Sequence, residues 1–521
     1  MTRPGGAPGP SGLTAARRAA DLAGLADGAE VDVLVIGLGV TGAGVALDAA
    51  SRGLRVAAVD AHDIAFGTSR WSSKLVHGGL RYLAKGQLAV AHESAVERGV
   101  LMTRTAPHLT RAMPMVIPLT SAVRPSQATL AMQGIRAGDA LRRFARTPSE
   151  LLPRPRRISV AETLRHVPAA DHDGLRGGLL SYDGQLEDDA RLVVALARTA
   201  ASYGARVLTR VRAGDLSGDG ATLTDELTGS SFSVRARTVV NATGVWAAGL
   251  VPGLRLAPSR GTHLVLRSET FLGSEASVSA PVPGSMNRFV FTLPQRDGLT
   301  YLGLTDELVG DVPDVPVPAE HEVDFLLDTI NRVLATPLGR EHVVGRFAGL
   351  RPLLAANGTT ADLSRRHAVL VSDQGVVTVV GGKLTTYRRM AQDAVDTAVR
   401  TGGLSAGPCL TTDLPLVGAA PRAALARVTA PARLVRRYGV EAPHVVSSAV
   451  EHSGDDAAAL LAPLAPRVPV TRAELLWGVT HEGALDVADL LDRRTRVGLV
   501  EADRALAEDA AHWALGVGSR V

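Results

Sequence analysis

The sequence is poor in the residues that build disulfide frameworks, thiolate metal clusters and aromatic surfaces. Cys409 is the single cysteine among 521 residues, which excludes an intramolecular disulfide and a thiolate cluster and favours a reducing compartment. Aromatic residues make up only 3% of the chain, so the basic, aromatic-rich surface of a nucleic-acid-binding protein is not expected. The histidines are scattered without the spacing of metal ligands, and we predict no metal.

Long apolar runs and long charged blocks are also missing. No apolar stretch approaches the roughly 18 residues that a membrane-spanning helix needs, and the N-terminal MTRPGGAPGPSG has no apolar core of the signal-peptide kind. The formal net charge is only +4, which is compatible with weak attraction to an anionic small substrate or an anionic membrane surface. We therefore expect a cytoplasmic protein that is soluble or lies on a membrane surface.

The clearest motif that the chain does contain is a glycine-rich turn between a strand and a helix. Residues 31–36, VDVLVI, are a short apolar run typical of a buried parallel strand, and Gly37, Gly39 and Gly42 follow in a G-x-G-x-x-G pattern. In this pattern the first glycine permits a tight turn, the second lets the backbone approach a pyrophosphate, and the third lets helix and strand pack closely. A second strand ends at Asp60, whose carboxylate can bind ribose hydroxyls. The pattern predicts a dinucleotide site.

Two later segments favour FAD over NAD as the dinucleotide. NATG, residues 241–244, ends a predicted strand with small residues that permit close approach of a cofactor. GGKLTTY, residues 381–387, opens a long predicted helix. The free N–H groups of a helix N-terminus stabilise the negative charge of a reduced flavin, and a nicotinamide has no comparable requirement.

The remaining pattern predicts a second β-rich region and a helical end. Several β-like segments split by Pro and Gly between residues 262 and 304 predict an antiparallel sheet. A basic helix at 125–144 is compatible with contact to anionic lipid and with an ordinary solvated face. Past residue 410 helical patterns dominate, including a capping box between Thr471 and Glu474. The arginines of the basic helix and its flanks are Arg124, Arg136, Arg142, Arg143 and Arg146.

Taken together, these stretches resemble the FAD-dependent glycerol-3-phosphate dehydrogenases of the quinone-linked, aerobic kind. The matching pieces lie in the family's order over roughly residues 31 to 400, and SSKLVHGGLRYL, residues 72–83, is the most specific. The chain departs from the family pattern at Asp60, at Arg70 and Trp71, and at Leu304. The matching pieces are DVLVIGLGVTGAGVALDAASRGLRVAAVDAHDIAFGTSRWSSKLVHGGLRYL, DDARLV, VNATG, FAGLRPLL and GGKLTTYRRMAQDAV.

The resemblance implies an α/β protein with a glutathione-reductase-like, FAD-binding Rossmann domain. An antiparallel α+β substrate domain is inserted into that domain, and an all-helical cap domain follows at the C-terminus. The expected boundaries are a flexible N-terminal leader at 1–30, the FAD-binding domain at 31–120, 181–255 and 345–405, the substrate-binding domain at 121–180 and 256–344, and the C-terminal helical domain at 410–521.

The implied reaction is oxidation of sn-glycerol 3-phosphate to dihydroxyacetone phosphate by hydride transfer to FAD, with electrons passed to a membrane quinone. A quinone acceptor implies a peripheral position on the cytoplasmic face of the inner membrane, and a homodimer is left open. An oxidase that uses oxygen and an FAD-dependent amine or 2-hydroxy-acid dehydrogenase stay open as alternatives on the same fold. An FAD-containing nucleic-acid-binding protein is the rival from another class, and the scarcity of aromatics weighs against it.

Oxidation of a secondary alcohol that carries a phosphate needs a proton acceptor and a hold on the phosphate. His77 is the candidate base because an imidazole titrates near neutrality, and a hydrogen bond to flavin or substrate is its alternative role. Arg351 is the first candidate for the phosphate, since a guanidinium binds two phosphate oxygens, and Arg81 is the second. Lys383 is expected to stabilise negative charge on substrate or flavin.

The resemblance extends the site to further positions. Gly78 and Gly79 are expected to be glycines because side chains there would block substrate or flavin. The expected cofactor-binding residues are Gly37, Gly39, Gly42, Asp60, Thr68, Ser69, Ser72, Lys74, Leu75, His77, Gly244, Gly382, Lys383, Leu384 and Thr385. The expected substrate-binding residues are Arg81, Tyr82, Thr305, Asp306, Arg351 and Tyr387, with simple packing as the alternative for the two tyrosines.

Overall fold

The computed structural model describes residues 8–79, 87–285, 288–355 and 367–520. Its strands are β1 Val31–Ile36, β2 Val56–Asp60, β3 Leu75–Val76, β4 Thr110–Pro118, β5 Arg156–Ile158, β6 Gly178–Leu186, β7 Arg206–Thr209, β8 Val211–Ser217, β9 Gly220–Asp225, β10 Ser231–Asn241, β11 Ser259–Arg267, β12 Ser277–Pro281, β13 Phe289–Pro294, β14 Leu299–Gly303, β15 Glu307–Leu308, β16 Val343–Arg351, β17 Ala368–Val371, β18 Val377–Val380, β19 Pro463–Ala465 and β20 Val468–Thr471. Its α-helices are α1 Ala15–Ala26, α2 Val40–Ser51, α3 Leu88–Val100, α4 Pro125–Phe144, α5 Val160–His166, α6 Asp189–Ser202, α7 Ala247–Leu250, α8 Glu320–Asn331, α9 Tyr387–Thr401, α10 Arg422–Leu425, α11 Ala432–Tyr438, α12 Ala442–Ser453, α13 Ala457–Leu461, α14 Arg472–Glu482 and α15 Glu501–Gly518.

The first large sheet is mainly parallel and is buried on both faces. Its strand order is β17-β18-β10-β1-β2-β7, and β8 and β9 extend it beside β10. β1 runs parallel to β10 and β2, and β10 runs parallel to β18. Val33 and Val35 of β1 join a core cluster with α2, α6 and α9, whereas Leu34 and Ile36 join a cluster on the other face. Burial on both faces explains why VDVLVI is nearly continuously apolar.

The second large sheet is mainly antiparallel and has the order β15-β11-β14-β13-β12-β4-β6-β3, with β16 beside β11 and β5 beside β6. Residues 262–304 supply most of β11 and all of β12, β13 and β14, so the predicted antiparallel sheet is confirmed. β12 and β4 pair in parallel, which makes the sheet mixed at that point. Helix α8 covers one face through Leu326 and Ile330.

Strand pairing places several segments differently from the expected boundaries. β3 and β4 lie within 31–120, and most of β6 and β16 lies within 181–255 and 345–405, all of which were expected in the FAD-binding domain. The structure pairs all four strands in the second sheet. An apolar run predicts that a strand exists, but it does not identify the neighbour with which the strand pairs, so these boundaries could not be read from the pattern.

The N-terminal segment is more structured than the predicted flexible leader over 1–30. Helix α1 begins after Thr14, whose hydroxyl accepts the Arg17 N–H, and Leu25 is buried against the first sheet. Arg18 donates to Asp225 Oδ1 over 2.7 Å. The prediction of a flexible leader is therefore wrong for Ala15–Ala26.

The C-terminal region is helical as predicted, with one exception. Its helices enclose a core that includes Trp477, and the capping box between Thr471 and Glu474 is present at the start of α14. β19 and β20 form a small antiparallel hairpin within it, so the region is not all-helical. Among the described residues, no helix combines the length and the apolar character that crossing a bilayer requires.

A buried ion cluster fastens the C-terminal region to the first sheet. Asp63 accepts hydrogen bonds from Arg494 Nη1 and Nη2 at 2.7 and 2.9 Å and from Arg493 Nε at 2.6 Å. Asp63 and Arg494 are fully buried. Burial alone opposes ionisation, but the two guanidinium groups hold the pKa of Asp63 well below its ordinary value. The aspartate is therefore charged, and both arginines depend on it for compensation.

We predict that Asp63→Ala lowers the free energy of unfolding by about 3–5 kcal/mol, because it leaves two buried guanidinium groups without a counter-charge. Urea unfolding followed by tryptophan fluorescence measures the change. Glu30→Ala is the matched control, since Glu30 pairs with Arg55 on the surface, and its unfolding midpoint should stay near that of the wild type. Equal midpoints for the two variants would contradict the prediction.

Candidate active site

Four turns from three well-separated parts of the chain meet at one edge of the first sheet. They follow the carboxyl ends of β1, β2, β10 and β18, which run parallel. The Gly37 N–H donates to Val59 O over 2.8 Å, and the Ala242 N–H donates to Ile36 O over 2.9 Å. This edge is where open parallel sheets bind their ligands.

Close backbone contacts require two of the three glycines of the first turn. Gly37 has a φ of +99°, and a Cβ built on it would lie 2.8 Å from the carbonyl oxygen of Ala242. A Cβ on Gly42 would lie 1.8 Å from the carbonyl oxygen of Gly37, so this glycine lets α2 start directly against the turn. Gly39 is the N-cap residue of α2. The turn therefore has the tight geometry that the motif predicts.

Ser69 and Asp60 complete this turn from two other segments. The Val40 N–H at the start of α2 donates to Ser69 Oγ over 2.8 Å. Asp60 accepts from the Leu38 N–H over 2.7 Å and from the His62 N–H over 2.8 Å. Burial raises the pKa of Asp60 to about 6, although these N–H groups favour its charged form. Asp60 thus fastens the end of β2 to the turn, in addition to the ribose contact that the sequence predicts.

The other two turns border the same edge with backbone conformations suited to glycine. Gly244 has a φ of +62°, and a Cβ built on it would meet no heavy atom within 4 Å, so the turn after β10 faces open space. Gly382 has a φ of +73°, and a Cβ on it would lie 2.4 Å from Met390 Sδ. A helix N-terminus, small residues and open space at one edge fit a dinucleotide that carries a flavin.

The segment from Thr68 to Gly79 links the second sheet to helices α2 and α6, which pack on the first sheet. Thr68 Oγ1 donates to the carbonyl oxygen of Leu350 on β16 over 2.6 Å. Ser72 Oγ donates to Asp189 Oδ2 at the start of α6 over 2.7 Å. Further along, β3 pairs with β6 in the second sheet. Residues 72–79, the described part of the most specific stretch, therefore belong to the junction between the sheets.

Lys74 and Leu75 turn their side chains away from the open edge. Lys74 is 1% exposed, and its ammonium lies 3.2 Å from Asp189 Oδ2 and over the rings of Tyr301 and Phe347. Burial lowers the pKa of Lys74 to about 8, and the Asp189 carboxylate opposes that shift. Leu75 packs in the same cluster as Phe347. Lys74 and Leu75 were predicted to contact the cofactor, and only their backbone atoms are available for such a contact.

His77 is held at two points. Its backbone N–H donates to Thr385 Oγ1 over 3.1 Å, and its ring nitrogen Nδ1 lies 3.0 Å from Asp183 Oδ2. The other carboxylate oxygen of Asp183 accepts from Arg98 Nη1 over 2.5 Å. Despite burial, Arg98 and His77 hold the pKa of Asp183 down to about 2. The His77 side chain remains 43% exposed, so the structure places an oriented imidazole at the open side of the junction.

Asp183 and Arg98 were not among the residues predicted from the sequence. Asp183 lies in the strand pattern SYDGQLEDD, and Arg98 lies in an ordinary helical stretch. Neither pattern marks a charged residue for this role. The pair becomes visible only because β6 and α3 meet behind His77.

The structure explains the presence of two glycines after His77 differently from the sequence prediction. A Cβ on Gly78 would lie 2.2 Å from Arg98 Nη1. Gly79 has a φ of +85°, and a Cβ on it would lie 2.8 Å from the Cα of Ala91 on α3. The pair therefore makes room for Arg98 and helix α3, which corrects the expectation that it clears space for substrate or flavin.

Lys383 and Thr385 lie in the turn before α9. Lys383 Nζ donates to Ser94 Oγ on α3 over 2.8 Å, so its ammonium is tied to a neighbouring helix. Thr385 is buried and accepts the His77 N–H. Leu384, between them, is partly buried against the core of the first sheet. The turn thus brings Lys383 and His77 into one neighbourhood.

Arg351 and Asp306 lie together at the end of β16. Arg351 Nη1 donates to Asp306 Oδ1 over 3.2 Å and to Ser259 Oγ over 3.3 Å, and Nη2 donates to Thr305 O over 3.2 Å. A Cβ on Gly261 would lie 2.3 Å from Nη2, so the guanidinium lies directly against this glycine of β11. The guanidinium is held in one orientation, which is a requirement for bidentate recognition of an anion.

Two of the predicted substrate-binding side chains are in the wrong place for that role. Thr305 is 2% exposed, and its hydroxyl donates to Glu322 Oε1 over 2.6 Å and accepts the Thr262 N–H over 2.9 Å. Tyr387 is 3% exposed, and its ring packs against Gly44 in the core between α2 and α9. The Thr305 hydroxyl bonds to a buried glutamate, and the Tyr387 ring is part of the core. The structure therefore contradicts the prediction that these two side chains contact a substrate. Arg81 and Tyr82 lie outside the described residues.

Comparison with known proteins identifies the family. Residues 32–388 match the FAD dependent oxidoreductase family, and residues 409–513 match the C-terminal domain of alpha-glycerophosphate oxidase. The chain is 53% identical over 506 residues to glycerol-3-phosphate dehydrogenase 1 of Mycobacterium tuberculosis, with 95% of this chain and 97% of that protein covered. It is 34% identical over 532 residues to the mitochondrial glycerol-3-phosphate dehydrogenase of Rattus norvegicus, with 94% and 70% covered.

Solved structures show the same fold. The glycerol-3-phosphate dehydrogenase from Bacillus halodurans, complexed with FAD, has a TM-score of 0.74 at 26% identity, with 98% of this chain and 94% of that chain covered. The L-alpha-glycerophosphate oxidase from Mycoplasma pneumoniae, with FAD bound, has a TM-score of 0.57 at 19% identity, with 74% and 99% covered, and it shows the shared fold alone. The α/β fold, the cofactor FAD and the C-terminal domain that the sequence predicts are confirmed, and the chain belongs to the family of FAD-dependent glycerol-3-phosphate dehydrogenases.

Proposed function

We propose that the protein oxidises sn-glycerol 3-phosphate to dihydroxyacetone phosphate, with FAD as the hydride acceptor and a membrane quinone as the final electron acceptor. The observation that supports this most is that a single segment joins both halves of the chemistry. Thr68, at its start, bonds to Leu350 beside Arg351, and His77, near its end, bonds to Thr385 in the turn before α9. An anion-binding guanidinium and a proton-accepting imidazole are thereby fixed relative to the same sheet edge.

The cofactor occupies that edge in this proposal. Bound FAD supplies a ring system that accepts the hydride. The N-terminus of α2 and the backbone around Gly39 hold its pyrophosphate, Asp60 holds its ribose, and the turns at Gly244 and Gly382 border the ring. Thr68, Ser72, Lys74, Leu75 and Leu384 contribute backbone atoms or support, because their side chains are used in contacts within the protein.

His77 accepts the proton of the substrate hydroxyl as the C–H bond is broken. Its imidazole is partly exposed, and the contacts with Asp183 and Thr385 that fix it lie on the protein side. General bases within hydrogen-bond reach of the hydroxyl contribute about 10²–10⁴-fold to such reactions. The Lys383 ammonium, tied to Ser94, lies in the same neighbourhood and stabilises negative charge that develops on substrate or flavin.

Arg351 holds the phosphate, with Arg81 as its proposed partner. A guanidinium held in one orientation binds two oxygens of a phosphate, and this fixes the position of the carbon that gives up hydride. Asp306 and Ser259 set the plane of Arg351. A substrate carboxylate would also suit a guanidinium, so the requirement for the phosphate separates this proposal from an amine or 2-hydroxy-acid dehydrogenase.

The proposed quinone acceptor calls for a membrane-facing surface, and α4 is the best candidate among the described helices. It exposes Leu130 and Phe144, at 52% and 75%, and its arginines Arg136 and Arg143 are also exposed. Exposed apolar residues next to arginines suit a helix that lies in the interface of an anionic bilayer. Arg142 does not belong to this surface, because it is buried and donates to Asp139 and to Thr147 O.

The proposed reaction predicts that sn-glycerol 3-phosphate bleaches the flavin absorbance of the purified protein in the absence of air. Glycerol at the same concentration should leave the spectrum unchanged, because it lacks the group that Arg351 holds. Re-oxidation with a soluble quinone and then with oxygen, with hydrogen peroxide measured, separates a dehydrogenase from an oxidase. A flavin that sn-glycerol 3-phosphate fails to bleach would end the proposal.

The phosphate assignment predicts that Arg351→Ala raises KM for sn-glycerol 3-phosphate by roughly 100-fold, because a charge-assisted bidentate contact is lost. The flavin content should stay that of the wild type. Arg346→Ala is the matched control, since Arg346 lies on the same strand, is 41% exposed and pairs with Glu320. Steady-state kinetics in which both variants keep the wild-type KM would remove Arg351 from the phosphate site.

The membrane assignment predicts that the double variant Arg136→Ser, Arg143→Ser binds vesicles containing phosphatidylglycerol about 30-fold more weakly than the wild type. Each arginine near such a surface contributes about 1 kcal/mol. The control is Arg400→Ser, Arg467→Ser, which removes the same charge from exposed positions outside α4. Vesicle sedimentation measures the partition, and equal binding by both double variants would show that α4 is not the contact.

A further inference from the structure

We infer that Asp183 and Arg98 are positioning residues that fix the Nδ1–H tautomer of His77 and thereby reserve its Nε2 for the substrate hydroxyl. The inference rests on the proposed function, in which His77 is the base. Beyond that function, the inference specifies which ring nitrogen of His77 takes the proton and which residues determine this. Neither Asp183 nor Arg98 is expected to touch substrate or flavin, and both act through His77.

The hydrogen bonds around Asp183 settle its charge. Its Oδ1 accepts from Arg98 Nη1, from the Gly78 N–H over 3.2 Å and from the Gly184 N–H over 3.0 Å. Its Oδ2 faces His77 Nδ1. Burial opposes a charge here, yet Arg98 and His77 keep the pKa of Asp183 at about 2, so the group is a carboxylate at neutral pH.

An ionised carboxylate has no proton to donate, so it accepts at both oxygens. The 3.0 Å contact between Asp183 Oδ2 and His77 Nδ1 is therefore a hydrogen bond only if Nδ1 carries the proton. In a neutral imidazole, a proton on Nδ1 leaves a lone pair on Nε2. The tautomer of His77 thus follows from the charge of Asp183, and that tautomer is the one a base at Nε2 requires.

The packing makes this arrangement rigid. Asp183 lies on β6, which pairs on its two sides with β4 and with β3, the strand just before His77. Arg98 is 5% exposed, and Gly78 has no side chain because the guanidinium occupies that space. The imidazole is held at Nδ1 by Asp183 and through the backbone by Thr385. Rotation of the ring would break the first contact and leave Asp183 Oδ2 without its hydrogen-bond donor.

The same carboxylate stabilises the ring after proton transfer. When Nε2 takes the hydroxyl proton, the imidazole becomes positively charged and already donates from Nδ1 to an anion. In hydrolases that use a serine, a histidine and an aspartate, the aspartate orients the histidine and stabilises the imidazolium without taking up the proton itself. Arg98 keeps Asp183 ionised throughout, so the proton stays on His77 until the product leaves.

The tautomer is tested directly in the FAD-loaded protein by nitrogen NMR after labelling all histidines with ¹⁵N. The His77 signals are assigned by their loss in His77→Ala. We expect a protonated Nδ1 and an unprotonated Nε2 in the wild type, and loss of this preference in Asp183→Asn. A wild-type ring protonated on Nε2 would overturn the inference, whether or not the protein oxidises sn-glycerol 3-phosphate.

A double-mutant cycle tests whether Asp183 acts through His77. We expect Asp183→Asn to lower kcat by on the order of 100-fold in the wild type, with KM changed by less than about threefold. In a His77→Ala background the same substitution should change kcat by less than about threefold. An equal loss of kcat in both backgrounds would show a merely structural role and overturn the inference. A wild type that sn-glycerol 3-phosphate does not reduce would instead refute the proposed function.

Asp183→Asn leaves Arg98 buried without a counter-charge, so stability needs its own controls. The double variant Arg98→Met, Asp183→Asn removes both charges, and it should fold, keep FAD and show the same low kcat. Asp225→Asn is the matched single variant, because Asp225 is a buried aspartate paired with Arg18 far along the first sheet. It should lose stability and keep the wild-type kcat. Wild-type kcat in the double variant with both charges removed would contradict the inference.

Discussion

The parallel alignment of β1, β2, β10 and β18 is the constraint on which the rest of the molecule depends. It gathers the turns that follow these strands at one edge, where N–H groups, small residues and open space meet. A glycine after a single strand is common and does not by itself indicate a binding site. At a shared edge, Gly37, Gly244 and Gly382 together border the place where we propose that FAD binds, and the segment from Thr68 to Gly79 links this region to the second sheet.

Buried ion pairs fix the positions of the helices and turns around that edge. Lys74 pairs with Asp189, Arg388 of α9 pairs with Glu97 of α3, and Asp63 takes two arginines from the C-terminal region. Each such pair is expensive to desolvate and therefore stabilises only the arrangement in which both partners meet. Their common effect is positional, because they tie together helices and turns from distant parts of the chain.

The glycines show why one residue type needs several explanations. Gly37 and Gly42 permit a turn that the motif itself predicts, and their contacts confirm it. Gly78 instead gives its space to Arg98, and Gly261 lies against Arg351. Sequence alone could assign the first two because the spacing of the motif between a strand and a helix is local, although the space at Gly37 is bounded by the distant Ala242. It could not assign the others, since the side chains they accommodate come from distant strands and helices.

The sequence by itself determined the fold family, the strand–turn–helix units and the capping box, because these depend on local spacing and on burial of whole segments. It also named His77, Arg351, Asp306 and Lys383 as candidate site residues, and these assignments stay predictions. Only the tertiary structure decided which sheet β3, β4, β6 and β16 join, that Thr305 and Tyr387 are buried, and that Asp183 and Arg98 stand behind His77. Strand partners and buried ion pairs join residues far apart in the chain, and no local pattern encodes which of them meet.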